Sequence, residues 1–357
     1  MKYSKDQYIG INRPEAIISE IDVVGFDGGT EISYAVEALI EGYYVLVLDF
    51  FSSGLKILSS LKRELQTNED TSYQKQREAR ERFQKISNRL LLEVDQHRLS
   101  VKKAPRIGWF KILYPELETF LLPFPQVQGL NSSWQWYKKG SYIPVLHKKI
   151  YPWYATYFPT RYEHLDLFED YLKQYNGDKT SAIDVGVGSG VLSMQLLKNG
   201  FKNIIATDSN PNAILGMSHY ISKKLLKNVD LYHGDLFAGY EGKANLIVFN
   251  PPWMPLKREV KGIDKAMYYD EQLFPRFFEQ AAAHLAENGK LIMIFSNLAE
   301  ISQAANKHPI KEELTHGKRY RKELLLTQSV AMGSAKTKRD LSHREDELVE
   351  LWILTKI

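Results

Sequence analysis

Four short clusters in the second half of the chain carry residue types that chemistry can use. The first is Asp184-Val185-Gly186-Val187-Gly188-Ser189-Gly190, which closes the apolar run beginning at Ser181. Glycines at alternate positions permit a tight turn and let a ligand approach the backbone N–H groups at the start of the next helix. The pattern is GxGxG with Val at position 191, which departs from the GxGxxG of dinucleotide sites. The second is Asp208, 24 residues after Asp184, behind the run Asn203 to Ala206. A carboxylate at the end of a second strand accepts from both hydroxyls of a ribose, a group that several cofactors carry. The third is Gly234-Asp235-Leu236-Phe237. Asp235 has two readings here, an acceptor for an adenine amine with Phe237 or Leu236 covering the ring, or a cap on a following helix.

The fourth cluster, Asn250-Pro251-Pro252-Trp253, follows the run Asn245 to Phe249. Two prolines fix an extended backbone and withdraw two amide donors, so the Asn250 side chain and a neighbouring carbonyl are aimed rigidly. An amide oxygen and a carbonyl are the acceptors that hold an NH2 group, and Trp253 offers a flat face to an amide or a base.

The elements that must position these clusters alternate. From Thr180 to Phe295 the order is strand, glycine turn, helix, strand and helix again, the pattern of a doubly wound parallel sheet. Lys257 to Tyr269 reads as a polar loop bordering a substrate, Phe274 to Leu285 as a helix leading through Asn288-Gly289 into strand Lys290 to Phe295, and Glu347 to Thr355 as the last strand. Upstream, a turn at Asp27-Gly28-Gly29 precedes a helix over Glu31 to Ile40, and Tyr43 to Phe51 reads as a strand ended by Ser52-Ser53-Gly54. Phe83, Ile86, Leu90 and Val94 are spaced for one face of a helix running from Tyr73 to about Lys103. Trp134-Gln-Trp-Tyr137, Lys138-Lys139-Gly140 and Tyr142 to Leu146 read as a hairpin, followed by an extended piece from Ile150 to Phe158. The expected division is 1–110 as an N-terminal accessory region, 111–165 as an aromatic-rich hairpin and lid, and 166–357 as the core domain.

Composition narrows the classes. The 357 residues are 44% hydrophobic and 25% charged, which supports a packed core and excludes wholesale disorder. Forty-seven Lys and Arg against 43 Asp and Glu permit an anionic partner without the charge of a dedicated nucleic-acid binder. The absence of cysteine excludes disulfides, thiolate metal sites, iron–sulfur clusters and thiol nucleophiles. The first residues lack a signal-peptide pattern and no apolar stretch approaches 18 residues, so a cytoplasmic protein without a membrane partner is expected. Residues 301–345 hold ten Lys or Arg against five acids, including Lys318, Arg319, Arg321 and Lys322, and either track phosphates or form a solvated insertion. Arg77, Arg80, Arg82 and Arg89 either meet RNA or, interrupted by Glu78, Glu81 and Glu93, form a solvated face, and Trp134, Trp136 and Trp153 either stack on bases or pack. His219 and His233 sit outside any metal-ligand pattern, while His147 and His164 lie beside the lid as possible bases.

Taken together, 184–190, 208, 235 and 250–253 resemble the first to fourth motifs of class I S-adenosylmethionine-dependent methyltransferases. The fourth resembles that of enzymes methylating a planar nitrogen, including the release-factor glutamine methyltransferase and the small-domain methyltransferases acting on adenine or guanine amines. The resemblance implies an α/β fold, a doubly wound Rossmann-like methyltransferase sheet with an N-terminal α+β accessory domain, and S-adenosyl-L-methionine as cofactor. It implies that Gly186, Gly188 and Gly190 line the methionine part, with Asp184 reaching its amino group through the backbone or water. Asp208 would hold the ribose, Asp235 the adenine amine and Phe237 the adenine ring. Asn250 and the Pro251 carbonyl would hold the substrate nitrogen, with Pro252 and Trp253 completing the catalytic set. Tyr157-Phe158-Pro159-Thr160-Arg161 and Glu163 resemble the segment that closes over the cofactor in the glutamine enzymes.

The function this implies is N-methylation of a glutamine amide in a protein or of an exocyclic amine in RNA, with residues 1–150 recognising the substrate. Three other readings stand beside it. They are a small-molecule N-methyltransferase with 105–158 forming a closed pocket, a nonenzymatic RNA-binding protein retaining the cofactor fold, and a nicotinamide-dependent oxidoreductase. The sequence leaves the oligomeric state open.

Overall fold

The computed structural model describes residues 2–4, 9–65, 73–224, 227–237, 239–256, 267–330 and 346–357. Most of the loop expected over Lys257 to Tyr269 and residues 331–345 of the basic stretch lie outside them, as do the side chains of residues 73–77, Arg77 included. The chain forms two compact units, Arg13–Lys138 and a second made of Met1–Asn12 with Lys139–Ile357. The divisions anticipated at 110 and 165 do not coincide with that partition.

The second unit carries the doubly wound sheet. Its strands are β1 (Ser181–Val185), β2 (Asn203–Asp208), β3 (Val229–His233), β4 (Ala244–Phe249), β5 (Leu285–Ser296), β6 (Tyr320–Ser329) and β7 (Leu348–Lys356). They lie in the order β3-β2-β1-β4-β5-β7-β6. The first five are parallel, and β7 is antiparallel to both β5 and β6. Its longer helices, among the described residues, are α1 (Glu163–Gln174), α2 (Val191–Lys198), α3 (Pro211–Lys224) and α4 (Leu273–His284).

Alternation along each strand divides the core in two. Ala182, Ile204, Ala206, Leu246, Val248 and Ile292 face a cluster built with Leu165 and Phe168 of α1, Leu192 and Leu196 of α2, and Ile214 and Met217 of α3. Ile183, Val185, Ile205, Ile247, Phe249 and Met293 face Phe274, Phe277 and Phe278 of α4. A sheet covered on both faces explains why its parallel strands are apolar runs. β6 has no such signature, because it is an edge strand exposed from Arg321 to Leu324 after the buried Tyr320, and its Lys and Arg hide it in the basic stretch.

In the Arg13–Lys138 unit, strands Val23–Phe26, Tyr44–Val47 and Leu90–Asp95 are parallel, and Arg98–Leu99 and Thr119–Pro123 pair antiparallel to Leu90–Asp95. Three expectations are corrected here. The helix from Tyr73 ends at Ser87, and Leu90 and Val94 belong to a strand. Leu90, Leu91 and Leu92 are buried in succession, followed by Val94, so both faces of the strand are covered at its start, which a sheet interior accommodates and a half-exposed helix does not. Trp134 to Tyr137 lie in helix Phe124–Lys139, and the hairpin is Ser141–Ile143 with Lys148–Ile150 alone. Ser52-Ser53-Gly54 does not end a strand in a turn but sits in the first turn of helix Phe51–Leu65.

Gly54 is there for space. A Cβ at this position would lie 2.1 Å from Cε2 of Phe124, whose ring is buried and stacks on Phe51 at 4.8 Å. Gly54→Ala is therefore expected to lower stability by ~1–3 kcal/mol in urea unfolding, overpacking outweighing the gain in helix propensity. Unchanged or raised stability would show that Phe124 gives way freely.

Candidate functional site

The carboxyl ends of β1 to β4 meet where the strand order reverses, the place at which an open α/β sheet leaves a crevice. A cleft of about 1550 Å³ opens there. Val185 is paired with Thr207 and with Phe249, so one position further on Asp208, Gly186 and Asn250 occupy a single rung. With neighbouring strands ~4.8 Å apart, the register holds the three within ~10 Å of one another. All three line the cleft.

On the β1–β3 side, Gly186 and Gly188 adopt left-handed φ of 70° and 50° and present their backbone to the cleft. The Gly188 N–H donates to Asp208 Oδ2 at 2.8 Å and the Asn210 N–H to Asp208 Oδ1 at 2.8 Å. Each oxygen keeps a further lone pair for a ligand. Burial beneath the turn pushes the Asp208 carboxyl above its ordinary range, against the pull of these two donors. A Cβ at 188 would come within 3.2 Å of the Tyr157 carbonyl oxygen, so the segment at Tyr157 passes directly over the turn.

Three residues of this half sit elsewhere than expected. Gly190 does not line the cleft. Its φ is 80° and a Cβ would lie 2.2 Å from Met217 Sδ, so it lets α2 begin close against α3. Phe237 is buried in the core, with ring centroids 4.5 Å from His284 and 5.9 Å from Phe277, and Leu236 faces the cleft instead, at φ 46°. The Asp184 side chain is wholly buried beneath the turn, where Ser193 Oγ donates to Oδ2 at 2.6 Å and Oδ1 finds no partner. Asp184 does not line the cleft, whereas Val185 and Gly186 after it do. Burial pushes this carboxyl up to about 7. Asp235 is exposed in the cleft and ion-paired with Arg276 of α4, and no helix follows it among the described residues, which removes the capping reading.

On the β4–β7 side, Asn250, Pro251, Pro252 and Trp253 all line the cleft. The indole N–H of Trp253 donates to Asn250 Oδ1 at 3.1 Å, which fixes the carboxamide and leaves its oxygen a second lone pair. The ring meets His164 edge-on at 6.0 Å. Burial holds His164 down at about 4, so its imidazole is neutral at physiological pH and a poor proton store. Tyr157, Thr160, Arg161 and Glu163 border the cleft as the lid resemblance implies, while Phe158 packs against the core. Arg161 Nη1 reaches Glu347 Oε2 at 3.4 Å, and the Glu347 side chain is only 3% exposed.

Asn12, Arg276 and Glu347 carry no local motif. They reach the cleft through the fold from positions remote in sequence from the four clusters. Other candidates are occupied away from it. Trp134 packs on Trp109 and Tyr137, and Trp153 on His219. Lys311 pairs with Glu300 and Lys307 with Glu312 on a solvated, self-neutralised surface, and Arg319 pairs with the buried Glu313. Among the described residues no group of three or more His, Asp or Glu is placed to hold a metal.

Asp184 yields a pH prediction. Between the ordinary aspartate value near 4 and its folded value of about 7, the folded chain binds a proton that the unfolded chain does not, so this residue's contribution to stability falls as pH rises through that window. The stability of Asp184→Asn relative to wild type should therefore rise between pH 4 and pH 8 in parallel urea titrations. A difference independent of pH would contradict a carboxyl held protonated by burial.

Residues 166–321 match the family model for the methyltransferase small domain. A Methanocaldococcus jannaschii protein provisionally named as a protein N5-glutamine methyltransferase is 28% identical over 132 residues, 35% of this chain and 66% of that protein. The release factor glutamine methyltransferase of Buchnera aphidicola is 31% identical over 126 residues, 35% of this chain and 42% of that protein. The chain thus spans 66% or less of the length of these curated relatives. Among solved structures, ribosomal protein L11 methylase from Lactobacillus delbrueckii is 18% identical with a TM-score of 0.37, covering 54% of this chain and 76% of that one. The family match rests on the segment that builds the crevice and places residues 166–321 in the S-adenosylmethionine-dependent methyltransferase superfamily, and the two relatives matched over part of the chain carry glutamine methyltransferase names.

Proposed function

We propose that the protein is an S-adenosylmethionine-dependent N-methyltransferase whose substrate is a side-chain amide, glutamine in a protein. The observation that carries this reading is the Asn250 carboxamide, oriented by Trp253 on the rung beside Gly186. The cofactor half fits an adenosine-bearing sulfonium in its donor and acceptor set. It offers a left-handed backbone turn closely overlaid by the Tyr157 carbonyl, a carboxylate with lone pairs left for two hydroxyls, and Asp235 as a further acceptor.

When bound, S-adenosylmethionine supplies a methyl group already activated on sulfur. What remains for the chain is positioning and electrostatics. Asn250 Oδ1 and the Pro251 carbonyl accept from the substrate NH2, hold the nitrogen at the cleft and strengthen as positive charge grows on it. Trp253 and the segment at Tyr157 to Arg161 keep water away from that nitrogen. A protonated N-methyl amide surrenders its proton to water, so no dedicated base is needed, and neutral His164 need not serve as one.

Charge favours the protein amide over a nucleic-acid base. Glu163, Asp166, Asp208, Asp235, Asp270 and Glu347 line the cleft, against Arg161 and Arg276, and each arginine is held by a carboxylate. The described lining leaves no cation uncommitted for a phosphate. The glutamine methyltransferase names of two relatives point the same way.

Asn250→Ala should lower methyl transfer into cell extract ~100-fold or more while cofactor affinity stays within about threefold, and Asp208→Ala should weaken cofactor binding ~10-fold or more by calorimetry. The label should disappear from the macromolecular fraction on protease treatment. Loss with ribonuclease would transfer the assignment to a base amine, passage through a size filter to a small molecule, and full cofactor affinity in Asp208→Ala would remove the ribose role.

A further inference from the structure

Three stretches of the second unit that are remote in sequence are tied together at the Asp208 end of the cleft by three asparagines. Asn12 donates through Nδ2 to Asn210 Oδ1 at 2.9 Å. Its backbone N–H donates to Asn212 Oδ1 at 3.0 Å, and its carbonyl accepts from Asn212 Nδ2 at 2.7 Å. Asn210 Nδ2 in turn donates to the Ala155 carbonyl at 2.7 Å, and Asn212 Nδ2 to the Tyr154 carbonyl at 2.9 Å. The Asn210 backbone N–H is one of the two donors that fix the Asp208 carboxylate.

The network has a direction. Asn212 is fully buried, whereas Asn12, Ala155, Asn210 and Asp208 all face the cleft. Asn210 Oδ1 accepts from both Asn12 Nδ2 and the Asn212 N–H, so its side chain is set by groups on either side of it. Nearby, Ile9 is buried in the core of the same unit, and Lys2 pairs with Asp230 on β3 at 2.8 Å. The backbone bonds of Asn12 dock this part of the chain whatever its side chain is, which leaves the carboxamide free for another task.

We infer that Asn12 is a positioning residue of the cofactor site, setting Asn210 and through it the Asp208 carboxylate toward the ribose hydroxyls, so that the start of the chain is part of the adenosine half of the site. The inference rests on the reading of the cleft as an S-adenosylmethionine site. The reacting atoms lie on the Asn250 side, so this role concerns affinity and sugar discrimination and not the transfer step.

The test is calorimetry on the full-length protein with S-adenosylhomocysteine and with its 2′-deoxy analogue. Wild type should prefer the ribose form. Asn12→Ala should bind S-adenosylhomocysteine about tenfold more weakly, the equivalent of one hydrogen bond, while its affinity for the deoxy analogue hardly changes. Asn12→Asp, which keeps the shape but loses the N–H donor, should show the same loss. Asn12→Ala combined with Asn210→Ala should bind as Asn210→Ala alone, because the two act in series. Lys2→Ala, which breaks only the surface pair, should bind as wild type, and the melting temperature of unliganded Asn12→Ala should match wild type. Wild-type discrimination in Asn12→Ala, or an equal loss for both ligands, would overturn the inference while leaving the cofactor reading intact. Binding of neither ligand by wild type would overturn both.

Discussion

The Gly188 N–H bond to the Asp208 carboxylate joins the two structural facts on which the cleft depends. One is a turn that only glycine enters without strain, and the other is a carboxylate delivered by the neighbouring parallel strand. Parallel register places Asp208, Gly186 and Asn250 on one rung, and the reversal of strand order at β1 opens space above them. The bond then commits the turn to one shape and the carboxylate to one orientation, with lone pairs to spare. In the proposed reading, Gly186 on the cofactor side and Asn250 on the substrate side are one strand spacing apart.

Much of this was legible in sequence because it is local. Buried parallel strands write themselves as apolar runs, and the residues at their ends are the ones that can face a crevice, so 184–190, 208, 235 and 250–253 could be located without the fold. Side-chain direction was not local. Gly186 and Gly190 look equivalent in the motif, yet one faces the cleft and the other makes room for Met217. Phe237 and Leu236 are adjacent and both are buried in the core beside α4, yet only Leu236 also borders the cleft.

The errors upstream have the same origin. Leu90 and Val94 keep a helical spacing with Phe83 and Ile86, but the apolar residues between them are decided by burial on both faces of a sheet. Gly54 reads as a turn until Phe124 is seen across from it. Asn12, Arg276 and Glu347 reach the cleft through tertiary structure alone, and two of the three bring the counter-charges that neutralise or complete a pair there.

The proposed substrate rests on electrostatics and geometry together. Carboxylates surround an oriented carboxamide, both cleft arginines are committed to carboxylate partners, and the nearby histidine is kept neutral by burial. Such a site suits an uncharged NH2 on a planar group. The most direct test is acid hydrolysis of protein labelled by methyl transfer from S-adenosylmethionine. An N-methyl amide releases labelled methylamine, and the account predicts methylamine from wild-type reactions and none from those of Asn250→Ala. Label recovered as methanol, as a methylated lysine or on a nucleobase would contradict it.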